Sequence, residues 1–140
     1  MNLDTEIGIL IFISTMENNI DLKLRTKKFG LRVIKLVNYL PNTMAAKALG
    51  NQLLRSATSV GANYRAACRA KSTKDFINKL KIVEEESDEC QFWLELLEES
   101  EIVKPQLIGN LKKEASELTA IFVTAINSAK RNMDKVRNTK

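Results

Sequence analysis

Chemistry needs side chains that donate, accept or bind, and the first observation is one that is missing. The 140 residues contain no histidine. That removes the commonest general base, the commonest metal ligand and the usual triad partner together. Two cysteines, Cys68 and Cys90, stand 22 positions apart, without metal or redox spacing. Both lie among apolar residues at helical spacing, as buried reduced thiols do, although the sequence leaves a single disulfide between them open. The acidic run Glu84-Glu85-Glu86-Ser87-Asp88-Glu89 offers many carboxylates. On a helix, consecutive glutamates point to different faces, so they do not form an acid–base pair. A di-iron bundle needs Glu-x-x-His pairs, and no glycine-rich phosphate loop is present. No enzymatic activity, cofactor, metal or small-molecule substrate is expected.

The remaining candidates are binding surfaces. Arg65, Arg69, Lys71 and Lys74 cluster around one predicted turn, and Arg55 lies further back. Arg65 and Arg69 are four apart, so they share a helix face. Convergent cations of this kind suit phosphates, as RNA or DNA would present them. They equally suit an acidic protein surface. Between Ile82 and Val103 there are nine acidic and no basic residues, whereas Met16 to Lys81 holds 14 basic and 3 acidic. The modest net charge of +5 conceals this segregation. The acids crowd the C-terminal half of a predicted helix, the end where the helix dipole favours cations. Water and salt, another helix, or another subunit would offset that cost.

The elements that carry these residues read as four helices, near 21–40, 44–69, 73–101 and 105–130. The first has its apolar stripe at Leu22, Thr26, Phe29, Val33, Leu36 and Leu40, after an N-cap at Asp21. The second follows Pro41-Asn42 with Leu49, Leu53, Ser56, Val60, Asn63 and Ala67. It contains Gly61, whose helical cost of about 1 kcal/mol suggests a close neighbour. Ser59 and Asn63 read as polar groups satisfied within the bundle. A capping box, Ser72-Thr73-Lys74-Asp75, opens the third. Its stripe is Phe76, Leu80, Val83, Ser87, Cys90, Leu94 and Leu97. The fourth starts at Pro105 and carries Leu107, Leu111, Glu114 or Ala115, Leu118, Phe122, Ala125 and Ala129. From Lys130 onward the chain is polar and basic, and fraying is expected there. Short connections make this an all-α, up-down-up-down antiparallel four-helix bundle. The domain is assigned to residues 16–140.

Residues 1–15 lie outside the periodic pattern, and Met16 offers a second start. Their run Ile7-Gly8-Ile9-Leu10-Ile11-Phe12-Ile13 is far short of the ~20 residues that span a bilayer. It lacks the basic leader of a signal peptide. These residues are expected to form a non-core arm, with no membrane partner and a cytoplasmic location.

At 100° per residue, Cys90, Leu94 and Leu97 face the bundle core and Phe92 points directly away. Leu96 lies beside it, Trp93 on the flank, and Glu85 and Glu89 on the border. An aromatic patch ringed by acids is a candidate self-association face.

The segments Asn51–Ser72, Asp75–Leu80, Glu84–Glu89 and Trp93–Leu97 together resemble the bacterial four-helix-bundle family encoded in intervening sequences of 23S ribosomal RNA genes. The resemblance covers about Ile20 to Ala129 and is most specific around the second and third helices. It implies a ring-shaped homopentamer. It further implies kinship with the basic accessory protein of diversity-generating retroelements, which associates with nucleic acid. It supplies no catalytic residues.

Overall fold

A computed structural model describes residues 21–138. The expectations for the arm at residues 1–15 fall outside that range. Four helices follow in order: α1 Leu22–Tyr39, α2 Met44–Ala67, α3 Thr73–Glu99 and α4 Pro105–Asn138. Asp21 caps α1 by accepting from the amides of Lys23 and Leu24. Thr43 caps α2, and Ser72 caps α3 by accepting from the Asp75 amide. The Asp75 carboxylate reaches back to the Lys71 amide. These contacts satisfy donors that a helix start leaves free.

Packing runs α1 on α2, α2 on α3 and α3 on α4, with α1 meeting α4 only sparsely. The core contains the predicted stripes of α1 and α3 almost residue for residue. Phe29, Val33, Leu53, Val60, Leu80, Val83, Leu94, Leu97, Leu118 and Phe122 are 0–1% exposed. Cys90 is buried and Cys68 half-buried, both as free thiols. Ser59 and Asn63 satisfy each other: the Asn63 amide donates to the Ser59 hydroxyl at 2.8 Å and to its carbonyl at 2.9 Å.

Two expectations for α4 need correction. Leu107 is 52% exposed, and Ile108 takes the core position instead. Stepping back from Leu111, three residues lead to Ile108 and four to Leu107, and both spacings suit a helix face. The helix also continues to Asn138 rather than fraying after Lys130. Ala129 and Met133 extend the apolar spacing and pack against the core, anchoring the added turns.

Gly61 does lie against α1. A Cβ built there would meet the backbone of Thr26 at 3.6 Å, which is ordinary contact. The neighbouring helix is close but leaves room for a methyl group.

The α3–α4 connection holds a less favourable residue. Glu101 sits at φ 65°, in the left-handed region. An L side chain there costs roughly 1 kcal/mol, and the residue adds a negative charge just past the negative end of α3. Glu101→Gly is therefore expected to stabilise the protein by about 1–2 kcal/mol. A rise in the urea midpoint without a change in slope would show this, and an unchanged midpoint would refute it.

Candidate nucleic-acid interface and assembly face

Antiparallel packing brings the end of α2, the start of α3, the start of α1 and the end of α4 to one pole. Thr26 of α1 lies against Gly61 of α2, while Gln91 and Glu98 of α3 bond to Thr119 and Lys112 of α4. Continuing the α3–α4 register places the last turns of α4 beside the α2–α3 turn. Arg65, Arg69, Lys71 and Lys74 are all exposed at this pole. Lys23, Lys27 and Lys28 of α1 and Lys130, Arg131 and Arg137 of α4 add exposed cations. None of the four turn residues enters an ion pair among the described residues. Asp75, the nearest acid in sequence, pairs with Lys79 at 2.6 Å. Its carboxyl is held below the ordinary range, first by that Lys79 hydrogen bond and then by the Lys71 amide.

Arg55 does not belong to this patch, contrary to expectation. Its guanidinium bonds to Glu89 at 2.7 Å and to Glu86 at 3.2 Å on α3. Glu89 also accepts from the Ser56 hydroxyl. Glu89 is thereby partly neutralised within the subunit. The α2–α3 pairing puts both glutamates on the flank that Arg55 can reach, a relation that sequence spacing does not reveal.

The Glu89 carboxyl is held below its ordinary pKa, chiefly by the Arg55 hydrogen bond. A carboxylate lowered in the folded state contributes stability above its unfolded pKa and loses it as pH falls through the folded value. Arg55→Gln should therefore cost stability at pH 7 and less of it at about pH 3. Because Arg55 is half-exposed, the cost should stay under about 1 kcal/mol. Urea midpoints of both proteins at the two pH values test this, and a difference that persists undiminished in acid would contradict it.

The acidic block of α3 is only partly neutralised. Besides Arg55, Lys112 of α4 pairs with Glu98 at 3.0 Å. Glu85, Asp88, Glu95 and Glu99 remain exposed. Burial raises the Glu84 carboxyl, and the charges of Asp88 and Glu85 raise it further. In the middle of this face Phe92 is 51% exposed. Leu96 is half-buried beside it, less free than the helical angle suggested. Trp93, on the flank of the helix, is half-buried. It packs against the core, stacks edge-on against Phe92 with ring centroids 5.0 Å apart, and buries its indole Nε1 without an acceptor. The aromatic knob is thus Phe92, held upright by Trp93.

The opposite character is found between α1 and α2. A groove of about 630 Å³ runs along Leu24, Leu31 and Ile34, with Gly30, Ala57 and Gly61 among its small residues. Among the described residues, Lys23, Lys27 and Arg65 line it together with a single acid, Asp21. Leu24 and Leu31 are about half exposed, at 47% and 51%.

Among the described residues no group of histidine, cysteine, aspartate or glutamate could hold a metal ion. No described helix is long and apolar enough to cross a membrane.

No curated protein matches this chain. A similar solved structure is the 1.70 Å crystal structure of a protein of unknown function from the S23 ribosomal protein family of Bacteroides thetaiotaomicron. It shares 35% identity and a TM-score of 0.70, over 74% of this chain and 96% of that one. The family described as 23S rRNA-intervening sequence protein matches residues 18–124. That span takes in α1, α2, α3 and most of α4, and the chain belongs to this family.

Proposed function

We propose that this protein is a non-enzymatic, self-assembling scaffold that associates with nucleic acid through its basic pole. The observation that carries the reading is the pole itself. Among the described residues, Arg65, Arg69, Lys71 and Lys74 stand exposed and outside any ion pair, while Arg25, Arg55, Lys79 and Lys112 all have carboxylate partners. Exposed cations held on two helix ends and a turn suit phosphates spaced along a backbone, without base readout. Assembly would repeat the pole around a ring, and several weak contacts then act together.

Self-assembly is the second part of the reading, supported by surface complementarity. The acidic face around Phe92 and the α1–α2 groove, where Leu24, Leu31 and Ile34 lie beside Lys23 and Lys27, are different patches of one subunit. Two such patches form a heterologous joint, which closes into a ring when the rotation permits. The family resemblance implies five subunits. A purely structural module without nucleic-acid affinity would share the joint but leave the pole idle.

Binding of RNA and DNA measured against salt separates the two. The scaffold reading expects sequence-independent binding at ~50 mM salt that weakens steeply as salt rises. No binding at that salt would overturn it.

A further inference from the structure

The seam between α1 and α4 is closed at one point and open beyond it. Where it is closed, Arg25 bonds to Glu114 at 2.6 Å and to Glu117 at 2.7 Å. Arg25, Lys28, Arg32, Lys35 and Tyr39 recur at spacings of three and four, so they share one face of α1. Further along, toward Arg32 and Lys35, α4 presents Asn110, Leu111 and Leu107 and no acid. The seam widens there into two cavities of about 430 and 510 Å³. Tyr39 and Leu107 line both, and among the described residues no carboxylate lines either. Tyr39 is 74% exposed and Leu107 52%.

This arrangement is poorly explained as a solvated surface. An exposed tyrosine ring and an exposed leucine stand in a cleft whose charged lining, among the described residues, is Arg32, Lys35 and Lys104. The same face of α1 is neutralised at Arg25 and left positive here. The positive end of α4 adds to that field, and its first turn carries no acidic residue. Flat π-surface, apolar contact and cations on either side are what one unpaired nucleotide requires. An acidic peptide would use the cations but leave the ring without a role. Double-stranded nucleic acid would offer phosphates but no free base face.

We propose that the open part of the α1–α4 seam binds single-stranded nucleic acid. One base stacks on Tyr39 against Leu107, and the phosphates on either side lie on Arg32, Lys35 and Lys104. The Asn110 amide supplies a donor and an acceptor for a base edge. The inference shares its ligand class with the proposed function but uses a different surface, away from the Arg65–Lys74 turn.

The test uses the full chain with short oligouridylate, oligothymidylate, an abasic chain of equal length, and duplex RNA. Tyr39→Ala is expected to weaken binding of the base-bearing single strands about five- to a hundredfold, the range of a base–aromatic stack. Tyr39→Phe should bind as the native protein does, because the stack needs the ring and not the hydroxyl. Duplex binding and sedimentation should be unchanged in both variants. Loss with oligouridylate alone, or with both strands, supports the site and shows whether the ribose matters. Equal binding of the abasic chain, or unchanged oligonucleotide affinity in Tyr39→Ala, would overturn it. So would a change of assembly mass in Tyr39→Ala, which would make the cleft a subunit contact. Failure of duplex binding in the native protein, with Tyr39-dependent single-strand binding intact, would refute the basic-pole reading and leave this one standing.

Discussion

Replacing Phe92 and Leu96 together by glutamate is expected to give folded single subunits in place of an assembly. Phe92 is half exposed on a helix whose outward neighbours are Glu85, Asp88, Glu95 and Glu99. Full burial of such a side chain contributes about 1.5–3 kcal/mol, and roughly half of that remains to be gained at a joint. Glutamate at both positions removes the apolar contact and sets two carboxylates against Leu24, Leu31 and Ile34 of the α1–α2 groove. A carboxylate desolvated against apolar surface costs several kcal/mol, enough at every joint to dissolve a ring. The helix itself should persist, because glutamate is a good helix former and both positions lie off the core stripe. Leu96 is partly packed within the subunit, so the single change Phe92→Glu separates assembly from stability. Sedimentation of native and substituted proteins decides the matter. A native protein that runs as a monomer, or variants of unchanged mass and normal helix content, would show that the joint lies elsewhere.

The second large effect concerns the basic pole. Changing Arg65, Arg69, Lys71 and Lys74 to glutamine is expected to remove most duplex binding and flatten its salt dependence. If each holds one phosphate, the native logarithmic slope should be steeper by about 3.6 than that of the variant. Across 50 to 200 mM salt that difference amounts to roughly a hundredfold in affinity. All four side chains are exposed, so the unfolding free energy should change by less than about 0.5 kcal/mol per site. A variant with the native salt slope would place the phosphate contacts on other cations. A parallel Arg55→Gln change should leave the slope unaltered, because that guanidinium is held by Glu86 and Glu89.

Much of the architecture was legible in the residues themselves. Leu80, Val83, Ser87, Cys90, Leu94 and Leu97 alternate at three and four, and all are buried. Asp21 and Ser72 mark helix starts because short side chains with an acceptor satisfy free amides there. The turn cations were legible as a cluster because they lie close in the chain. The Tyr39 cleft was not, since its lining comes from α1, the α3–α4 connection and α4. Its signal was present only as an uncompensated stripe, Arg32, Lys35 and Tyr39, on an otherwise ordinary amphipathic helix.

By itself, then, the sequence determined the helices, their core faces and the segregation of charge, because periodicity and local capping are properties of neighbours in the chain. Tertiary structure alone decided which charges are neutralised. Arg55 and the acids of α3 are more than 30 residues apart, and helix packing makes them partners. It also decided the phase of α4, turning Leu107 outward and Ile108 inward where the spacing allowed both. The physical reason is the same in each case. A helix fixes the angles between its own side chains, but its rotation and height against a neighbour are set by packing that no single helix encodes.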